Sequence, residues 1–188
     1  INQRLIAANG ADQGAMSLTT LITSEVLKQI DTTPELKART VQGNTAFVLV
    51  RNINNTRIKD VELRKALLYA WPSFQLRQLI GGSTAGDFAS TVLSPTVPGY
   101  EAFDLYHQKT LPKGQSENAT SLLTKAGKVG MSVVYCYANP PKGQEGSVVV
   151  KAGLEKAGFK VVLKPTDPKN FYDVIGKVNN PFDIYNGG

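Results

Sequence analysis

The sequence predicts an α/β fold, a mixed, mostly parallel sheet flanked by helices, and three observations carry that prediction. From residue 118 to the end, stretches of helical period alternate with apolar stretches of strand length. The strands in that half, SVVYCY and KVVL, are apolar on both faces, as strands are when helices cover a sheet from both sides. Residues 47–82 read as a strand, a polar turn and two helices meeting at a kink.

Taken in order, residues 1–8 suit the last turns of a helix stopped by Asn9-Gly10, and residues 11–16 a short strand. Leu18, Leu21, Ile22, Glu25 and Val26 carry a helical period through Ile30, which the cluster at 31–34 breaks. Residues 38–50 read as two extended pieces around the polar turn 42–45. The apolar run 47–50 leads through the polar turn 52–59 to Asp60, whose carboxylate can accept first-turn amide hydrogens. Leu63, Ala66, Leu67, Ala70 and Trp71 then mark one buried helical face. Pro72 disfavours a helical Trp71 and suits the first turn of a second helix, 73–80, which Gly81 can end in the left-handed conformation.

Residues 81–99 carry glycines 81, 82, 86 and 99 with prolines 95 and 98, and read as a long ordered loop. A helix at 119–126 leads to the strand 131–137, followed by a loop with Pro140-Pro141 and a helix over 144–157. Strand 160–163, helix 170–178 and strand 182–185 complete the chain. Right-handed crossovers make these last three strands parallel. Their carboxyl ends share one edge, where ligands of α/β folds bind. That edge carries residues 137–143, 166–170 and 186–188.

Composition bounds the function. At 188 residues and 41% hydrophobic, the chain can bury a good core, and we read residues 1–188 as one domain. A net charge of +6 invites a nucleic-acid reading, but the 21 basic residues are scattered without a block of five, so we expect no nucleic-acid partner. One cysteine, Cys136, excludes an internal disulfide and a cysteine zinc cluster. The only histidine, His107, lies in a polar stretch, and no G-x-S-x-G elbow supplies a nucleophile. GGSTAG lacks the Lys-Ser/Thr of a phosphate loop, and two prolines stand in the turn after SVVYCY where a dinucleotide site needs glycines. We therefore expect no catalysis, cofactor or metal site.

Binding asks for amide and charge partners beside apolar walls. The loop 137–143 offers Tyr137, Asn139 and Lys142, and Asn186 ends the neighbouring strand on the same edge. Arg77 and Gln78, near the end of the second helix, are a further pair for that rim. Trp71 reads either as a core residue of its helix face or as a cleft wall that stacks on a solute side chain.

The strand ending at Asn52, then Asp60 and LRKALLYA, then LSPTVPGY (93–100), NATSLLTKAG (118–127), LEKAGFKVVL (154–163) and PFDIYNGG (181–188) resemble, in this order, the extracytoplasmic solute-binding proteins of oligopeptide and dipeptide ABC importers. The resemblance covers most of the chain. It departs at Trp71-Pro72, where that family carries an acidic and a branched apolar residue.

The resemblance implies the C-terminal lobe of a two-lobed periplasmic-binding-protein fold. It implies capture of peptides or similar small solutes outside the membrane and delivery to ABC permease subunits. Lobe one of the same polypeptide would supply the rest of the clamp, and Lys142 would meet a peptide's terminal carboxylate. Periplasmic or cell-surface lipoprotein localisation is implied too, with the membrane reached only through a lipid anchor outside this chain. Two alternatives stay open: the same fold with another cargo, such as a nickel complex, heme or sugar, and a small Rossmann-like enzyme or interaction module.

Overall fold

A computed structural model describes residues 30, 32–34, 48–51, 56–84 and 86–187; for 48–51, 56, 84, 141, 142, 186 and 187 it describes the backbone alone. The expected elements within residues 1–29 and 38–47 lie outside the described residues. The chain divides into two units, one of residues 1–43 and 77–87 and the other of residues 44–76 and 88–188.

In the larger unit, strand β1 (Val48–Arg51) is followed by a 3₁₀ turn at Thr56–Ile58 and helix α1 (Val61–Ala70). Asp60 caps α1 as expected, its Oδ1 accepting from Glu62 N at 2.9 Å. The helix buries Leu63, Ala66, Leu67 and Ala70, and stops because Trp71 takes the extended backbone that a following proline enforces. Helix α2 (Ser73–Ile80) starts directly after Pro72, with Leu76 N–H donating to Pro72 O at 3.0 Å. Gly81 and Gly82, at φ 127° and 65°, take the positive angles that end it.

The long segment after residue 87 is held by side chains rather than by regular structure. Asp104 accepts from the N–H groups of Lys109 and Thr110 and from the Thr110 hydroxyl, at 2.9–3.2 Å. Burial alone would raise the Asp104 carboxyl, but these donors outweigh it and hold it below the usual range. Gln115 joins the segment to α1, donating from its backbone to Tyr69 O at 3.0 Å and from its side chain to Tyr106 O at 2.8 Å.

Helix α3 (Ser116–Lys125), strand β2 (Ser132–Ala138), helix α4 (Pro141–Lys156), strand β3 (Lys160–Thr166), helix α5 (Phe171–Ile175) and strand β4 (Ile184–Gly187) follow. The described strands form a sheet in the order β1-β4-β2-β3, in which β2 runs parallel to β3 and β4 while β1 runs antiparallel to β4. This is the expected mixed, mostly parallel sheet with helices on both faces.

Several boundaries move for local reasons. Helices α3 and α4 each start three residues earlier than their periodicity suggests, α4 with Pro141 at its first position, where a missing N–H is no loss. Strand β3 runs on to Thr166, because its register with β2 continues from Ser132↔Lys160 to Ala138↔Thr166. Pro165 is tolerated there because β3 is an outer strand of the described sheet. Gly176 stops α5 early, its N–H bonding back to Tyr172 O.

Alternation along β2 builds two cores. Val133, Tyr135 and Tyr137 face α1, α3 and α4, where Leu67, Leu123, Val150 and Leu154 pack. Cys136, with Val134 and Ala138 beside it, faces the other side, where Phe171 and Phe182 cover it. Burial pushes the Cys136 thiol up, only partly offset by the Thr166 hydroxyl 3.2 Å away, so it stays a neutral core group.

An ion pair with one buried partner fastens the sheet. Asp183, fully buried, accepts from Arg57 Nη2 at 2.8 Å and from Val134 N–H at 2.7 Å, while its own N–H donates to Val134 O at 3.0 Å. Arg57 also donates to Ser132 O. One carboxylate thus ties the turn after β1 and the entry of β4 to the first half of β2.

Candidate functional site

The parallel strands β2 and β3 end side by side, Ala138 opposite Thr166, and Asn139 N–H donates to Thr166 O at 3.0 Å just beyond them. The chain then turns through Pro140 into α4. No side chain caps this helix, and its first turn holds no acidic residue, so the positive end of its dipole is uncompensated. Its first backbone bond runs from Gln144 N–H to Pro140 O at 3.1 Å, which leaves the Lys142 and Gly143 N–H groups ahead of the intrahelical ladder.

Gly143 explains how the helix comes so close to the strand. A Cβ on Gly143 would overlap the carbonyl oxygen of Ala138 and stand 3.0 Å from Pro140 Cδ. Only a residue without a side chain seats the first turn of α4 on the last carbonyl of β2. Asn139 lies at this junction, and its Oδ1 is buried without a hydrogen-bond partner. Lys142 is the second residue of α4, and its side chain lies outside the described residues.

The aromatic candidates converge. Trp71, half-buried at the end of α1, meets Tyr135 edge-on with ring centroids 6.1 Å apart, and Tyr135 stacks on Tyr137 at 5.9 Å. Tyr137 is 8% exposed and Tyr135 4%, so both rings belong to the core, and burial pushes the Tyr135 phenol up. Of the two readings of Trp71, the core one describes its packing: it lies against the main apolar cluster.

Asn186 follows Tyr185, the partner of Cys136, so it lies on the strand next to Tyr137. Asn186 pairs with Leu49 in the β1–β4 ladder, with its side chain outside the described residues. Arg77 and Gln78 belong to the smaller unit. There Arg77 is engaged locally, Nε donating to Gly82 O at 3.2 Å and Nη2 lying 3.8 Å from Asp87. An open hollow of about 700 Å³ runs along α3, lined by Ser116, Thr120, Thr124, Lys125 and Lys156 among others, and contains none of the candidates.

Other chemistry finds little support. His107 is exposed in a turn at φ 55°, its Nδ1 3.3 Å from the Thr110 hydroxyl. Among the described residues, no group of three His, Cys, Asp or Glu side chains could hold a metal ion, and no helix is long and apolar enough to cross a membrane.

These strands and helices define a class: the α/β, periplasmic-binding-protein fold. The murein tripeptide binding protein MppA of Escherichia coli superposes with a TM-score of 0.75 at 16% identity, over 97% of this chain and 36% of that one. The periplasmic binding protein DppA of Helicobacter pylori, solved with the peptide STSA, gives 0.71 at 17% over 88% and 31%. NikA of Brucella suis, solved with Fe(III)-EDTA, gives 0.71 at 19% over 88% and 34%. The chain thus spans about a third of the length of these proteins. No curated protein matches it in sequence. The model of the bacterial extracellular solute-binding proteins, family 5, middle part, matches residues 1–188, and the chain belongs to that family.

Proposed function

We propose that this chain is lobe two of a solute-binding protein that captures peptides or similar small solutes outside the membrane and delivers them to an ABC permease. The observation that carries the proposal is the family match over the full 188 residues. The carboxyl edge of β2 and β3 supports it, with an uncapped helix start and an amide side chain placed where α/β folds hold ligands. Lobe one of the same polypeptide would close over the solute about a hinge, and closure would supply much of the buried area. Asn139, Lys142 and Asn186 are the candidates for the solute edge, with Tyr137 and Trp71 packed in the core around Tyr135, and Arg77 and Gln78 remain separate candidates in the smaller unit. No reaction is catalysed, and a lipid anchor elsewhere in the polypeptide holds the protein at the membrane.

A second cargo class has one observation in its favour: NikA proteins solved with Ni(L-His)2 and with Fe(III)-EDTA share the fold at TM-scores of 0.66 and 0.71. Mass spectrometry of solutes that co-purify with the full-length protein separates the two. Peptides support the proposal, and a metal chelate with no peptide replaces it by the second reading. In the same protein, Lys142→Ala weakens carboxylate-bearing peptides about tenfold relative to their C-terminal amides. Equal losses for both forms remove Lys142 from the site.

A further inference from the structure

We infer that Asn139 receives a neutral main-chain amide N–H of the bound peptide. The inference rests on the proposed function and specifies what that edge recognises. Asn139 Oδ1 is buried and no protein group donates to it. Such an atom has given up its water without replacement, which makes it rare in folded proteins and favourable to satisfy from outside.

None of the nearby backbone donors reaches Asn139 Oδ1, the Lys142 and Gly143 N–H groups at the start of α4 included. Asn139 N–H is used on Thr166 O and Gln144 N–H on Pro140 O. Residues 140 and 141 are both proline and have no N–H to give. A carboxamide oxygen accepts only, so the missing partner must bring an N–H or O–H.

Charge narrows the choice. The positive end of α4 lies at this turn with no acidic residue in its first helical turn. An ammonium donor, such as a peptide's amino terminus, is repelled there. A neutral amide N–H is not, and the carbonyl next to it is attracted by the same helix end. The carboxyl edge of β2 therefore reads an interior peptide unit rather than a peptide's charged amino terminus.

The test uses the full-length protein, wild type and Asn139→Ala, titrated calorimetrically with tetra-alanine and with its depsipeptide analogues, each having one amide N–H replaced by an ester oxygen. Thermal midpoints are measured without solute. Asn139→Ala should weaken tetra-alanine about tenfold. One depsipeptide should bind the wild type about tenfold more weakly than tetra-alanine, yet bind the variant as well as tetra-alanine does. The solute-free midpoint should stay or rise, because no bond of that oxygen is lost. Asn139→Leu, which retains bulk, separates a lost partner from a cavity. A midpoint several degrees lower in both variants overturns the inference, as does unchanged tetra-alanine affinity. A wild type that binds no peptide overturns the proposed function and this inference together, whereas a wild type and variant that bind peptide equally well remove Asn139 alone.

Discussion

Gly153→Ala sets helix propensity against packing where α4 crosses the kink at Pro72. In a helix interior alanine is favoured over glycine by about 1 kcal/mol. The added methyl, however, would lie 2.9 Å from both Cβ and Cγ of Pro72 and 3.0 Å from its Cδ. Carbon atoms settle at roughly 3.5–4.0 Å, so the methyl must gain at least about half an ångström on three atoms at once. Neither partner yields easily. Pro72 is a buried ring that cannot rotate away, and α4 is pinned by Val150 and Leu154, 1% and 0% exposed. Overpacking of this kind costs about 1–3 kcal/mol, and collision with a rigid ring belongs at the upper end. The clash therefore wins, with a net loss of about 1–2 kcal/mol. For a chain of this size the melting midpoint should fall by about 2–8 °C, read by circular dichroism. Pro72→Ala removes two of the three colliding atoms, so in that background the loss should shrink to less than half. A Gly153→Ala variant that melts at or above the wild type, or loses as much with Pro72 replaced, refutes the packing argument.

Two further outcomes are expected. Asp183→Ala leaves Val134 N–H without its acceptor, while Arg57, 45% exposed, keeps its water, so unfolding free energy should fall by about 2–3 kcal/mol in urea titrations. Asp183→Asn, which keeps an acceptor, should lose less, and a loss under about 1 kcal/mol for alanine would show that the pair fastens nothing. Asp104, held below the usual carboxyl range, contributes stability above its ordinary value of 3.8 that disappears as pH falls through its depressed folded value. Wild type and Asp104→Ala should differ by about 1 kcal/mol at neutral pH and converge as pH falls below that depressed value; a gap that persists unchanged in acid contradicts the assignment.

Periodicity and punctuation made most of the described elements legible. Asp60, the spacing from Leu63 to Ala70 and Pro72 fixed α1, its end and the start of α2, because cap, buried face and proline geometry are all local. Boundaries failed where punctuation has two meanings. Pro140-Pro141 reads as loop, yet Pro141 is the first residue of α4, and Pro165 reads as a strand end, yet an outer strand accommodates it. The candidate site was legible only as an edge. Residues 137–143 were placed there by topology, but the inward turn of Tyr137 depends on the parity of β2 and the stacking of Tyr135, which a short apolar run does not fix. Asp183 was barely legible. Its signal was a single acid between Phe182 and Ile184 in an apolar run, while its partners lie far away in sequence.

Arg57 and Asp183 meet across 126 positions, and β1 finds its place only beside β4. Neither contact forms until nearly all of the intervening chain is available, since closing so long a loop is slow and is rewarded only at the end. Local pieces such as α1 and the β2–α4–β3 unit gain structure first. The β1–β4 side of the sheet is therefore expected to lock last, so a polypeptide still emerging during synthesis stays short of its final state.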